Sequence, residues 1–186
     1  MNEETDFLSA VVNDVIDFPD DAKRREVDKL TREVFMGRVN ASENELSATM
    51  RFYYEFRDLD PSGRIVEFAK TALKCFPGIF EVRLLLSCHY FDSSHFECAA
   101  ESLRELDETR TSSLWRAKIL ELKTVCAIKL DLEQNDLQQF WEYYSSLSYD
   151  ERALPLEIYD ALKHMPNRSV FEEMVFNELE EEMGAV

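Results

Sequence analysis

Apolar residues recur at three- and four-residue spacing along nearly the whole of this chain, and no stretch sustains the two-residue alternation of a half-buried strand. That periodicity is the mark of amphipathic helices. Phe7, Val11, Val15 and Phe18 form a first stripe, and Val27, Leu30, Val34 and Phe35 a second. The 186 residues hold only 4 Gly and 5 Pro, too few for the tight turns of a strand-rich fold. The same scarcity removes the raw material of phosphate-cradling loops, and no G-x-S-x-G nucleophile elbow occurs. The expectation is an all-α chain without enzymatic activity or cofactor.

Breakers and caps divide the pattern into about ten helices. The basic helix over 20–37 follows Pro19 and ends near Gly37, a C-cap glycine. Ser42-Glu43-Asn44-Glu45 and Ser169-Val170-Phe171-Glu172 read as capping boxes, in which the serine hydroxyl and the glutamate carboxylate satisfy free amides at a helix start. Asp60-Pro61 opens another helix, which Phe76-Pro77-Gly78 stops. Further helices are expected over 79–91, 95–106, 111–130 with a cap at Thr111-Ser112-Ser113, 137–147, 155–164 and 169–183.

Helix pairs spaced about 34 residues apart suggest a repeat array. In Val66–Pro77, Ala72 and Pro77 fall on the small and closing positions of a repeat's second helix. The next unit, about 80–113, places Leu86, Ser87 and Tyr90 on the large, small and aromatic positions of a first helix. Phe96 and Ala99 take the aromatic and small positions of its second helix. In these residues the chain resembles the tetratricopeptide-repeat (TPR) family, best over 46–113, although Leu106, Thr111 and Phe140 depart from the pattern. The resemblance implies antiparallel helix pairs stacked as a short right-handed TPR-like superhelix in a single domain over 1–186. Residues 1–41 would form an N-terminal helical cap and 42–113 the best repeats; 114–186 would hold degenerate pairs and an acidic C-terminal cap. Its functional implication is a protein-interaction module or scaffold subunit that holds a peptide, a helix or a partner subunit in a groove.

The partner surface is expected to involve Tyr53, Tyr54, Leu84, Trp141 and Tyr144, because aromatic side chains are favoured interface anchors. Arg24 and Arg25 are a further candidate. They lie in residues 22–38, where six basic residues meet three acidic ones in a chain whose net charge is −17. In the repeat register, Met50 and Tyr54, then Leu84 and Cys88, face the groove, which would suit an apolar segment better than an acidic carboxylate tail. The alternative is a structural or oligomerisation subunit, possibly a homodimer, that buries an apolar helix face against another chain.

The charge opposes binding to nucleic acid, since phosphates must be met by clustered cations. No apolar run approaches the roughly 20 residues of a membrane span, and no secretory signal opens the sequence, so no membrane insertion is expected. Cys75, Cys88, Cys98 and Cys126 contain no C-x-x-C pair, and reduced thiols in a cytoplasmic or nuclear protein are expected. Cys88, His89, His95 and Cys98 lie close in sequence without the short spacings of a zinc site, and packing is the expected role.

Overall fold

The computed structural model describes Arg25, Lys29, Arg32 and residues 41–55, 63–132, 135–148 and 152–184. Among these residues there are eight α-helices and no strand. The expected helical pair over 7–37 falls outside the described residues, apart from Arg25, Lys29 and Arg32, which are helical and exposed. The chain divides into two compact units after His89.

In the first unit, α1 (Glu43–Glu55) packs on α2 (Arg64–Cys75). The capping box forms as its residue types require: the Ser42 amide donates to the Glu45 carboxylate at 2.6 Å, and the Glu45 amide donates to Ser42 Oγ at 3.3 Å. Asp60 and Pro61 lie outside the described residues; α2 itself begins at Arg64, because Gly63 stands at a φ of 65° that no α-helix contains. It ends where expected, with the Phe76 amide closing on the Ala72 carbonyl before Pro77. Leu46, Met50, Ile65, Phe68, Ala69 and Ala72 are buried, and the Tyr53 and Phe68 rings meet at 5.5 Å between centroids. Each fully buried large side chain of this kind contributes about 1.5–3 kcal/mol. Arg51 grips both carboxylate oxygens of Glu81 across the unit's surface.

The division falls within α3 (Phe80–Asp92). The second unit continues with α4 (Phe96–Arg104), a 3-10 turn (Glu108–Arg110), α5 (Ser113–Lys129), α6 (Asn135–Ser146), α7 (Leu156–Lys163) and α8 (Val170–Gly184). The helix expected over 95–106 is therefore shorter. It stops at Arg104, where the Leu106 amide closes on the Leu103 carbonyl at 3.1 Å, and the separate 3-10 turn follows, capped by the Asp107 carboxylate, which accepts the Thr109 amide at 3.1 Å.

Helix α5 is the hub of this unit, packing against α4, the 3-10 turn, α6 and α7, while α8 packs on α7. Leu120, Val125, Leu137, Phe140, Ile158, Leu162, Val175 and Leu179 share one core. The residues that the repeat pattern marks as small, Ala72 and Ala99, are both completely buried, as is Ser87. Two helices end on a residue other than glycine in left-handed backbone. Ser94 and Asp131 take φ values of 59° and 53°, and the amides around them close on the last turn. His95 N–H donates to Tyr90 and Ser94 N–H to Phe91; Leu132 N–H donates to Ala127 and Asp131 N–H to Ile128. These are Schellman stops, with serine and aspartate in the place usually taken by glycine.

Candidate functional site

The residues expected at a partner surface divide sharply. Tyr53, Leu84 and Tyr144 are buried, as is Met50, and each is a correction to the expectation. An aromatic or leucine side chain at helical spacing packs inward when neighbouring helices cover it, and sequence alone does not say which face is covered. Tyr54 and Trp141 are half-buried, and the Trp141 indole lies against the Tyr144 ring at 5.9 Å. Arg25 is exposed; Arg24 lies outside the described residues.

The second unit instead carries an open pocket of about 250 Å³ that the sequence does not announce. Helix α5 supplies Trp115, Ala117, Lys118 and Glu121, α6 supplies Phe140 and Tyr144, and the approach to α7 supplies Ala153, Leu154 and Pro155. Helix α5 is aimed at its start by Ser112, whose hydroxyl accepts the Trp115 amide at 3.5 Å. Trp115 is 46% exposed and Leu154 37%, so two large apolar side chains stand open at the rim. Phe140 and Tyr144, stacked at 5.4 Å, are almost wholly buried.

The polar part of this pocket is asymmetric in charge. Lys118 Nζ donates to Glu121 Oε2 at 3.0 Å and to Glu157 Oε1 at 2.7 Å. Glu121 is 5% exposed, and its other oxygen accepts the backbone amide of Glu157 at 3.3 Å. Burial, then a hydrogen bond shared with Glu157, pushes the Glu121 carboxyl up to about 7 against the pull of Lys118. Burial also opposes the Glu157 carboxylate, but hydrogen bonds from Glu121 and Lys118 outweigh it and bring that group down to about 2. For Lys118, burial is likewise overcome by the two glutamates, and its pKa rises above the ordinary lysine value. Near neutral pH Glu121 is therefore protonated in part of the molecules, beside an ionised Glu157.

Behind the pocket, the Tyr144 hydroxyl donates to Glu182 at 2.8 Å. Arg152 also holds Glu182 at 3.1 Å, and it donates to the Leu147 and Ser145 carbonyls at 3.1 and 2.9 Å. Burial and the Glu182 hydrogen bond raise the Tyr144 phenol well above its usual range, so it stays protonated as a donor.

A signal for this site did exist in the run Ile119-Leu120-Glu121-Leu122, where one acid interrupts an apolar stretch in the middle of the longest helix among the described residues. A carboxyl in that position must find partners or keep its proton. Trp115 carried a weaker signal as one of only 2 tryptophans.

Elsewhere, Cys98 and His95 are exposed and Cys88 is half-buried. No group of three or more His, Cys, Asp or Glu side chains could hold a metal ion among the described residues. None of the four cysteines forms a disulfide, and burial pushes the Cys126 thiol up to about 12. No described helix is long and apolar enough to cross a membrane. No protein-family model, curated protein or solved structure matches the chain.

Proposed function

We propose that this chain is a non-enzymatic protein-interaction module that takes an apolar anchor of a partner peptide or helix into the Trp115–Leu154 pocket. The observation that carries this reading is the exposed apolar rim over a preformed pocket whose walls, Phe140 and Tyr144, are fixed in the core. A half-exposed tryptophan beside a half-exposed leucine is what a partner's side chain can cover, and such anchors supply most of an interface's energy. The net charge of −17 favours partners with basic flanks, chiefly by speeding association.

In this reading the helices are a short TPR-like stack of antiparallel pairs within one intracellular scaffold or adaptor subunit. Support comes from the neighbour pattern of the second unit, where α5 pairs with α6, α7 with α8, and the first helices of the two pairs touch. The buried Ala72, Ser87 and Ala99 support the same register.

The test is selection of helical peptides from a display library on the full chain, followed by measurement on Leu154→Glu and Trp115→Ala. The expected binders lay the apolar part of one long side chain against this rim and lose about tenfold or more in affinity on either variant. Binders indifferent to both substitutions would overturn the assignment of the pocket. Self-association has its own observation, since Val170 is 91% exposed and Met174, one turn further along α8, is 40% exposed. Sedimentation at several concentrations separates the two: a dimer that dissociates on Val170→Glu would favour that second reading.

A further inference from the structure

The pocket's wall and its floor ask for different things. Trp115, Ala117, Phe140, Leu154 and Pro155 offer apolar surface, while Lys118 and Glu121 bring charge into the same space. One ammonium faces two carboxylates there, Glu121 from α5 and Glu157 from α7. The other charged groups nearby cancel: Arg152 and Glu182 pair at 3.1 Å, with Arg152 spread over the Tyr144 ring at 5.2 Å. The triad therefore holds one negative charge in excess whenever both carboxyls are ionised.

We propose that the occupant of this pocket is a lysine of a partner protein, its aliphatic stem lying between Trp115 and Leu154 and its ammonium meeting Glu121. The inference rests on the reading of the pocket as a docking site, and it names the chemistry of the anchor. Apolar walls ending in a carboxyl match an amphipathic side chain with a long stem and a charged tip. Lysine suits the floor better than arginine. Both Glu121 oxygens are already engaged, one by Lys118 and one by the Glu157 amide, so neither leaves a free edge for a planar two-point fork. A compact ammonium needs only one remaining lone pair. The bound cation also replaces a proton: with Glu121 titrating near 7, part of the free protein carries that proton at neutral pH, and ligand binding releases it to the buffer. No bond is made or broken beyond that proton transfer.

The probes are n-hexylammonium, a lysine-like stem and tip, and n-hexanol, its neutral counterpart, titrated into the full chain. The readout is the indole N–H resonance of Trp115 by nuclear magnetic resonance. At pH 8 hexylammonium should bind about tenfold more tightly than hexanol, because the excess carboxylate is then ionised. Between pH 6 and pH 8 its affinity should rise by about fivefold to tenfold while that of hexanol stays flat. Glu121→Gln should erase both the preference and the pH dependence. The wild-type comparison of the two probes stands without any variant, should Glu121→Gln fold poorly. Equal affinities for the two probes at pH 8 would overturn the lysine assignment and leave the apolar docking site standing. If neither probe shifts Trp115, the docking site itself falls, and the lysine with it.

Discussion

Glu121 caps helix α7 from outside that helix, accepting the backbone amide of Glu157 at 3.3 Å across 36 residues of sequence. Pro155, at the N-cap of α7, makes no side-chain capping bond, so the orphan amide is met from α5. The arrangement fixes a pH response. Glu121 titrates near 7 when folded and near its ordinary 4.5 when unfolded, so folding favours its protonated form. That contribution is complete below pH 4.5 and is lost as pH rises through 7. Glu157, near 2 when folded, contributes stability that is present above pH 4.5 and lost only as pH falls through 2. Between pH 5 and pH 8 the first effect acts alone. Glutamine keeps an acceptor for the Glu157 amide and cannot ionise. Glu121→Gln should therefore gain about 2 kcal/mol on the wild type over that interval, read by urea unfolding at each pH. A difference independent of pH would show that Glu121 is already ionised throughout.

The Tyr144–Glu182 bond ties α6 to α8 at 2.8 Å. Tyr144→Phe keeps the stacked ring and removes only the donor, at a cost of about 1 kcal/mol. Glu182→Gln paired with it completes a double-mutant cycle. A coupling energy near zero would mean that this bond stabilises nothing.

Ala99 has no accessible surface. Ala99→Leu adds three carbons where no room exists and should cost about 1–3 kcal/mol. Tolerance of leucine with unchanged stability would mean that the surrounding helices can part to admit it.

Ser94 and Asp131 hold left-handed backbone that glycine adopts freely and other residues do not. Ser94→Gly and Asp131→Gly should each stabilise the fold by about 0.5–1 kcal/mol, raising the melting temperature by a few degrees. A loss of stability in either variant would point to a side-chain contribution larger than the backbone strain.

What was legible in the sequence was chiefly local. Both capping boxes, the stop at Phe76-Pro77-Gly78 and the long helix opened by Ser112 were readable because each depends on residues a few positions apart. The ends at Ser94 and Asp131 were blurred, since a chain with 4 glycines must stop some helices without one. The 3-10 turn after α4 was missed for a related reason: the Asp107 carboxylate caps it through a nearby amide, and such a cap is decided by local geometry. Tyr53, Leu84 and Tyr144 were expected at a partner surface and lie buried, because helical spacing does not tell which face the neighbouring helices cover. The pocket was the least legible feature. Its walls come from residues 115–121, 140–144 and 153–155, and nothing in their spacing tells which helix faces they share.

Helix α7 spans 8 residues, below the roughly 12–15 at which an isolated helix holds together in water. Its first turn leans on a carboxyl from α5, and its Ile158 and Leu162 sit in the shared core. This segment therefore has no structure to fall back on when α5 is disturbed. On the folding pathway it should appear late, after the hub helix is in place, and its amides should exchange with solvent whenever that hub loosens. The approach to the pocket is thus lent its shape by a helix that chain order places well before it.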